Sequence, residues 1–229
     1  MVAPPSDAAA PEPNGAERPA DEPRQRDAER TRAELLDVAL AEFADKGYAG
    51  ARVDEIAART STTKRMIYYY FGGKEQLYIA ALERAYAAIR GIEQRLDVAH
   101  LDPVQAIRRV AESTFDHHES HPAFIRLVSI ENIDHGRHLA KSAELPGLGT
   151  PALEVLTGIL ERGREAGLFR ADVDALDVHM AISSFCFFRT ANRHTFQAIF
   201  DRDMLAPDRR EHYRRMIGDL VLSYLGART

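Results

Sequence analysis

The sequence has few of the features that mark secreted or membrane-spanning proteins. Its single cysteine, Cys186, excludes an intrachain disulfide and agrees with a reducing cytoplasm. No stretch approaches the roughly 20 consecutive apolar residues that a helix needs to cross a bilayer. The first residues also lack the basic segment and apolar run that are typical of a secretory signal. We therefore expect a cytoplasmic protein with no membrane partner.

Motifs of several enzyme classes are missing as well. The chain has no Gly-rich phosphate-binding loop and no G-x-S-x-G sequence. Cys186 stands in the run F-C-F-F at residues 185–188, which indicates core packing rather than a nucleophile. His179 and Ser183 lie near each other along a helix, but Asp177 falls on a different face. We expect no catalytic residue and no cofactor.

Five histidines cluster in the middle of the chain, at His117, His118, His121, His135 and His138. His117 and His121 are four residues apart, a spacing that places metal-binding pairs on one side of a helix. Pro122, however, indicates a helix boundary at that point, and no cysteine or carboxylate partners stand at fixed spacing. The pattern favours helix-end and surface histidines, so we expect no bound metal.

Helical periodicity dominates what the sequence does contain. The chain has 229 residues and is 45% hydrophobic, enough for a sizeable core and for two packed units. Helix-start signals recur at Asp102-Pro103, Thr150-Pro151 and Pro207, and neither alternating strands nor an internal repeat is found. The sequence predicts an all-α fold.

Residues 52–75 form the most informative stretch, R-V-D-E-I-A-A-R-T-S-T-T-K-R-M-I-Y-Y-Y-F-G-G-K-E. A short helix with apolar residues Val53 and Ile56 is followed by the hydroxyl-rich run at 60–63, which favours a turn and a helix N-cap. The second helix begins near Thr63, has Ile67 and Phe71 on its core face, and ends at the following glycine pair. This is a helix-turn-helix whose second helix can lie in a DNA major groove.

The same stretch resembles a known family. I-Y-Y-Y-F-G-G-K-E-Q-L at residues 67–77 is similar to the signature of TetR-type transcriptional regulators, and residues 31–48 and V-D-E-I-A resemble their first two helices. The resemblance covers residues 31–82. It implies an N-terminal three-helix DNA-binding domain, a long connecting helix from Lys74, and a C-terminal helical domain for ligand binding and dimerisation.

The resemblance also implies roles for individual residues. Lys64, Arg65 and Met66 fall on base-reading positions, while Tyr68, Tyr70 and Lys74 match positions that contact phosphate or sugar. Tyr69 packs on the DNA backbone or a thymine methyl. Judged by spacing alone, the alternative is that the tyrosines belong to an ordinary domain core; the spacing favours the DNA contact for Tyr68 and leaves Tyr69 and Tyr70 open. The full expected DNA-binding set is Arg52, Thr63, Lys64, Arg65, Met66, Tyr68, Tyr69, Tyr70 and Lys74.

Two positions depart from the family pattern. Arg52 replaces the usual threonine before the second helix; it cannot cap that helix but can reach a phosphate. Ser61, Thr62 and Thr63 replace the usual Gly-Val-Ser turn. These departures leave the fold prediction unchanged and prevent any inference of the operator sequence.

The charge distribution gives only weak support for DNA binding. The net charge is -5, but residues 24–74 carry ten Lys/Arg and eight Asp/Glu, whereas residues 1–23 carry one Arg and five acids. The argument for DNA therefore rests on where the basic residues lie. Four arginines, Arg24, Arg26, Arg30 and Arg32, form either a solvated helix start or a basic arm that touches DNA.

We expect three segments. Residues 1–26 are rich in Ala, Pro and acids and are predicted to be a disordered tail. Residues 27–73 form the DNA-binding domain, and residues 74–229 form the ligand-binding and dimerisation domain. The connecting helix is expected to be broken only at Gly91. The last helix, with Leu220 and Val221 on a wide apolar stripe, is expected to pair with its symmetry mate beside the helix of residues 150–166.

A ligand cavity is expected in the C-terminal part, where apolar segments carry a few polar groups. The alternative is that these polar groups are interhelix pairs or surface residues. The expected lining residues are Phe124, Arg126, Val128, Glu131, Asn132, Phe185, Phe188, Arg189 and Asn192.

The sequence thus predicts a one-component regulator, a repressor released from a near-palindromic operator by a small-molecule ligand. Its expected partners are double-stranded operator DNA, that ligand and a second copy of the chain. The alternative is a helical enzyme or small-molecule carrier that does not bind DNA.

Overall fold

The computed structural model describes residues 22–148 and 150–226. Across these residues the chain is helical and contains no strand, which confirms the all-α prediction. The helices are α1 Glu22–Gly50, α2 Val53–Ala58, α3 Lys64–Phe71, α4 Lys74–Gln94, α5 Pro103–Ser120, α6 Pro122–Ile133, α7 Leu145–Leu148, α8 Thr150–Glu165, α9 Ala175–Ala191, α10 Arg193–Phe200 and α11 Pro207–Tyr224. None of the helices described combines the length and apolarity needed to span a bilayer.

The first helix begins earlier than the sequence indicates. Residues 22–26, expected at the end of the tail, lie in α1, and residues 1–21 fall outside the described part of the chain. Arg30 and Arg32 are therefore on a helix, not an extended arm. Arg30 pairs with Asp27 at 3.2 Å, and the Arg32 guanidinium lies 5.1 Å from the centre of the Phe71 ring at the end of α3.

One apolar core joins the N-terminal helices to the rest of the molecule. Phe43 of α1, Ile56 of α2 and Ile67 of α3 are fully buried in it. The same core continues through Leu82 of α4 to Leu127 of α6. The N-terminal helices are consequently packed against α6 through α1, as well as being connected by α4.

Local capping sets the position of α3. The hydroxyl of Thr63 accepts a hydrogen bond from the Met66 amide at 3.4 Å, and Gly72, at φ 78°, ends the helix in a conformation that favours glycine. Arg52 occupies the N-cap position of α2 and makes no side-chain cap there, as the sequence predicts.

Helix α4 runs without interruption from Lys74 to Gln94, so the predicted break at Gly91 is wrong. A glycine inside a helix costs only about 1 kcal/mol relative to alanine. Burial of Ile89 and Glu93, on either side of Gly91, holds this part of α4 against its neighbours. The connector is therefore one continuous helix.

A second core lies among α5, α8, α9 and α11. Phe115 of α5, Ile159 of α8, Ile182 of α9 and Val221 of α11 are buried in it. Helix α11 packs mainly on α5 and α9 rather than beside α8. The expectation that α11 presents its stripe next to α8 is corrected accordingly.

Candidate nucleic-acid interface and ligand cavity

Helix α3 has one buried and one exposed face. Ile67 and Phe71 enter the core, whereas Arg65 is exposed, Tyr68 is 47% exposed and Tyr69 is 77% exposed. An exposed large aromatic beside a free cationic side chain is unusual on a surface that contacts only water. This face has the donors and aromatic surface that reading base edges and DNA backbone requires.

Lys64 starts α3 in an ion pair. Its Nζ lies 2.9 Å from Oδ1 of Asp54 on α2, and hydrogen bonding to Asp54 raises the pKa of Lys64. Both side chains are more than half exposed, and such pairs contribute little to stability. Lys64 can therefore exchange Asp54 for a base edge or a phosphate at little cost.

The remaining residues of α3 differ in their surroundings, so that some fit a DNA contact and others fit core packing. Tyr70 is half-buried against the N-terminal core and meets the Tyr69 ring edge-on at 5.4 Å. Met66 is half-buried, and Thr63 caps the helix. Tyr70 thus has a packing role, while Tyr68 and Tyr69 are accessible.

A concentration of positive charge lies at the start of α4. Lys74 Nζ is 3.4 Å from the carbonyl oxygen of Ala49 and 4.9 Å from the Tyr48 ring centre. Partial burial, and then the positive charge of Arg52, lower the pKa of Lys74. Two cations close to a helix N-terminus favour an anion such as a DNA phosphate.

A cavity of about 500 Å³ lies between α4, α5, α6 and α9, and we call it the α4–α9 cavity. Its volume is typical of small-molecule sites. Apolar walls come from residues on α4, α6 and α9, and polar groups face it from all four helices. Its lining includes Tyr86, Arg90, His118, Phe124, Val128, Asn132, His179, Ser183 and Phe187.

Arg90 gives the α4–α9 cavity its charge. Its Nη1 lies 2.6 Å from Oε2 of Glu93, and its Nε has no hydrogen-bond partner among the described residues. Burial, reinforced by the charge of Arg90, lowers the pKa of His179 and brings that of His118 to about 4. At neutral pH the cavity therefore contains one guanidinium and uncharged imidazoles.

The structure does not bring the predicted ligand residues into one site. Phe124, Val128 and Asn132 line the α4–α9 cavity. Phe185, Phe188 and Arg189 line a separate groove of about 720 Å³ between α9, α10 and α11. Arg189 is buried in an ion pair with Glu119 at 2.6 Å. Asn192 is the C-cap of α9.

Arg126 and Glu131 have other partners. Arg126 Nε and Nη2 donate to the carbonyl oxygens of Ala44 and Asp45 in α1, at 2.6 and 2.9 Å. Glu131 is fully buried and accepts hydrogen bonds from His138 Nδ1 at 2.6 Å and from the amides of His138 and Leu139. Neither residue lines the α4–α9 cavity.

Glu131 also belongs to the one group of possible metal ligands found among the described residues. A ligand atom from each of Glu131, Asp134 and His138 lies within 4.8 Å of the others. Both carboxylate oxygens of Glu131 already accept protein hydrogen bonds, which fixes the turn after α6. We assign this cluster a structural role.

Sequence reasoning missed Tyr86, Arg90, His118 and His179 as cavity residues. A signal for them exists, because Tyr86 and Arg90 are four residues apart on α4, and His179, Ser183 and Phe187 repeat at the same interval on α9. The sequence alone does not show that these faces of α4 and α9 line the same cavity.

Comparison with known proteins settles the family. Residues 35–81 match bacterial regulatory proteins of the tetR family, and residues 103–221 match the tetracyclin repressor-like C-terminal domain. This chain belongs to the TetR family. It is a DNA-binding transcriptional regulator, and its helix-turn-helix and C-terminal helical domain are those of that family.

Individual relatives agree with this assignment. The chain is 36% identical over 199 residues to the HTH-type transcriptional repressor NicS of Pseudomonas putida, a match covering 87% of this chain and 94% of NicS. It is 37% identical over 123 residues to the HTH-type transcriptional repressor SCO4008 of Streptomyces coelicolor, covering 53% of this chain and 57% of that protein. A tetR-family regulator from Rhodococcus RHA1 has the same fold, with a TM-score of 0.68 at 20% identity over 87% of this chain and 99% of that one.

This TetR-family chain also leaves a broad apolar face uncovered. On α9, Leu176, Met180 and Phe188 are 59%, 63% and 50% exposed, and on α11, Leu220 and Tyr224 are 48% and 44% exposed. Their spacing in multiples of four aligns them in two adjacent stripes. Exposed apolar surfaces of this kind are typical of protein–protein interfaces and of ligand-binding grooves.

Replacing Lys74 by Ala is expected to weaken binding to all DNA sequences alike, because a phosphate contact carries no base information. The slope of log K against log salt should become less steep by about 1, the value for one lost phosphate contact. Titration of labelled DNA at several salt concentrations measures both effects. Arg109→Ala, which removes an exposed cation on α5, should leave the slope unchanged; equal slopes for wild type and Lys74→Ala would contradict the assignment.

Stability of this TetR-family protein should fall in mild acid because His118 is buried uncharged. Its pKa of about 4 lies below the unfolded value of 6.5, so the unfolded chain alone takes up a proton as pH falls below 6.5. At pH 5 this removes about 2 kcal/mol from the free energy of unfolding. Burial raises the pKa of Glu93, which acts in the opposite direction. The test therefore compares His118→Gln with wild type. Urea unfolding at pH 7 and 5 should show a smaller loss in the free energy of unfolding for His118→Gln than for wild type. Identical losses in the two proteins would refute the prediction.

Proposed function

We propose that this TetR-family protein is a homodimeric repressor that binds a near-palindromic operator through α3 and is released by a small molecule bound in the α4–α9 cavity. We further propose that residues 27–73 act as the DNA-binding domain and residues 74–229 as the ligand-binding and dimerisation domain. The repressor assignment is supported by the names of NicS and SCO4008, both described as repressors.

The exposed face of α3 is the observation that carries the proposal. Arg65, Tyr68 and Tyr69 project from a helix whose opposite face is locked into the core by Ile67 and Phe71. Lys64, Arg52 and Lys74 supply cations beside it. An enzyme or a carrier in the cytoplasm has no need of such a face, so we propose a regulator without catalytic activity.

Dimerisation is supported by the apolar stripes on α9 and α11. One helix-turn-helix contacts too few bases for high specificity, so two copies should bind half-sites about one helical turn, ~34 Å, apart. Two helices from each protomer can form a four-helix bundle that buries Leu176, Met180 and Leu220.

Selection from random duplex DNA tests the operator. Purified protein should enrich a sequence with near two-fold symmetry, and the enriched duplex should bind two protomers by sedimentation. A unique enriched half-site that binds one protomer, or enrichment of no sequence, would overturn the proposal.

The release mechanism requires that an occupant of the cavity move the two α3 helices. Tyr86 and Arg90 place α4 in the cavity wall, and α4 begins beside the DNA at Lys74. Helix α6 provides a second connection between the cavity and the DNA-binding helices. It lines the cavity at Val128, and its Arg126 donates hydrogen bonds to the end of α1. The ligand acts by favouring one arrangement of these helices, and such couplings are typically worth about 1–3 kcal/mol.

Arg126→Ala should leave operator affinity close to wild type and reduce the ligand response, because it removes the hydrogen bonds from α6 to the end of α1 and leaves both sites intact. The inducer is first identified by mass spectrometry of the small molecule released from denatured protein. Operator titrations with and without it should then differ about 5- to 150-fold for wild type and less for Arg126→Ala.

Arg109→Ala is the matched control for Arg126→Ala, since Arg109 is exposed on α5 and has no hydrogen bond, ion pair or ring contact with α1 among the described residues. It should respond like wild type. A full response in Arg126→Ala would show that the signal does not pass through α6.

A further inference from the structure

A second cleft, of about 640 Å³, lies where α1 meets α4 and the corner between α5 and α6. Its size is within the range of small-molecule sites. Asp37 and Leu40 face it from α1, Arg84 from α4, His117 from α5, and Pro122 and Phe124 from α6. We call it the α1–α5 cleft. A molecule in it would touch the DNA-reading unit, the connector and the ligand-binding part together.

His117 is the unusual residue of this cleft. Its side chain is only 3% exposed, and neither Nδ1 nor Nε2 has a hydrogen-bond partner among the residues described. Buried polar atoms are nearly always paired, and leaving one unpaired costs about 1–3 kcal/mol. The adjacent His118 differs, because its Nδ1 donates to the Thr114 carbonyl oxygen at 2.9 Å.

The surroundings of His117 select for a flat partner. The His121 ring stacks on it at 4.1 Å with an interplanar angle of 12°, and the Phe124 ring meets it edge-on at 5.6 Å. His121 Nδ1 is engaged with the His117 carbonyl oxygen at 3.0 Å and with Ser120 Oγ at 2.9 Å. The edge of the His117 ring is therefore the buried polar group of the cleft that has no hydrogen-bond partner among the described residues.

The cleft offers no unbalanced charge. Arg84 Nη2 and Asp37 Oδ1 lie 2.6 Å apart and neutralise each other. Burial, followed by the nearby His121 and His118, lowers the pKa of His117 to about 3, so its imidazole is neutral at physiological pH. A neutral imidazole has one N–H donor and one acceptor nitrogen. A charged ligand would be desolvated here without gaining a counter-charge.

We propose that the α1–α5 cleft is a binding site for a small, uncharged, planar molecule that both donates and accepts a hydrogen bond, such as an aromatic amide, with His117 as its partner. The site is distinct from the α4–α9 cavity, and Phe124 is a wall common to both. An effect of such binding on operator affinity rests on the proposed function, whereas the binding itself does not.

The test uses the full-length protein with ¹⁵N-labelled histidine, without DNA, and benzamide as the probe. Long-range ¹H–¹⁵N spectra report both ring nitrogens of His117. Benzamide should shift them saturably, and His117→Leu should weaken its binding at least about fivefold, the equivalent of one lost hydrogen bond of ~1 kcal/mol. His117→Asn, which keeps a donor and an acceptor, should bind more tightly than His117→Leu.

His118→Leu is the matched control, since it removes the neighbouring imidazole from the other cavity. Benzamide should bind it as it binds wild type, and benzoate, the charged isostere, should bind the α1–α5 cleft more weakly than benzamide. Loss of binding in His118→Leu with retention in His117→Leu would assign the probe to the α4–α9 cavity and overturn the proposal. An absence of saturable shifts at His117 up to the solubility limit would overturn it as well. Because no DNA is present, either failure is distinct from a failure of the regulator assignment.

Discussion

Leu220→Arg should convert the dimer into monomers and reduce operator affinity on the order of 1000-fold, toward the level of non-specific binding. Leu220 is 48% exposed on α11, within the apolar face shared with α9. In the proposed bundle two copies of the new guanidinium would be buried without a counter-charge near the symmetry axis, which costs several kcal/mol. Sedimentation at micromolar concentration measures the dissociation, and a gel-shift titration measures the loss of affinity.

The structure identifies Leu220 as the informative position on α11. Val221, which the sequence alone offers as an equivalent, is 1% exposed in the core of its own protomer, so Val221→Arg would disrupt folding. Ile133→Arg is a suitable control, because Ile133 is 76% exposed at the end of α6 and is not part of the apolar face on α9 and α11. A monomeric wild type, or a dimeric Leu220→Arg protein, would contradict the proposed interface.

Arg65→Ala should weaken operator binding by about 1–3 kcal/mol per half-site, if two donors of the guanidinium read one guanine. Both half-sites of a dimer are affected, so the total loss in affinity exceeds that of most single substitutions. The preference at the contacted base pair should relax in parallel. Titration of the selected operator and of operators changed at single base pairs measures both effects.

The controls for Arg65→Ala distinguish the loss of base recognition from the loss of a positive charge. Arg95→Ala removes an exposed cation at the far end of α4 and should leave the base preference unchanged. Lys64→Ala also frees Asp54, so its effect combines a lost contact with a new negative charge near DNA. If Arg65→Ala and Lys64→Ala both protect the operator like wild type, α3 is not the reading helix.

Local sequence was sufficient to predict the helix-turn-helix. The apolar spacing of Ile67 and Phe71, the hydroxyl cap at Thr63 and the Gly72 end all lie within one short segment, and the structure confirms the helix that they predict. The exposure of Tyr68 and Tyr69 followed from the same periodicity, since a residue opposite the core face must face outwards.

The ligand residues could not be predicted in this way. Periodicity gives the faces of α6 but not which helix packs on each, and α6 contacts α1, α4 and α9 on different sides. Arg126 and Asn132 therefore belong to one helix and to different surroundings, the α1 end and the α4–α9 cavity. Arg90 could not be identified as a cavity residue from the sequence, because the cavity around it is formed by three other helices, α5, α6 and α9.

Two further errors have the same origin. Gly91 is a helix breaker by propensity, but the packing of α4 on both sides of it outweighs that preference. Leu220 and Val221 are adjacent aliphatic residues that the sequence alone does not distinguish. Successive residues of a helix are rotated by about 100° around its axis, so Leu220 lies on the exposed apolar face and Val221 lies in the core. Only tertiary structure distinguishes them.

Affinity cleavage from α3 tests most directly that two copies of this helix read one operator. Tyr69 is 77% exposed and Cys186 is buried, so Tyr69→Cys provides a single reactive thiol for an iron chelate that cuts nearby DNA. A matched thiol at Thr157→Cys, exposed on α8, provides the control. The account predicts two clusters of cuts from the Tyr69 position, related by the operator's two-fold symmetry and centred about one helical turn apart in the major groove, with none from the Thr157 position. Cuts in one cluster only, or equal cutting from both positions, would contradict it.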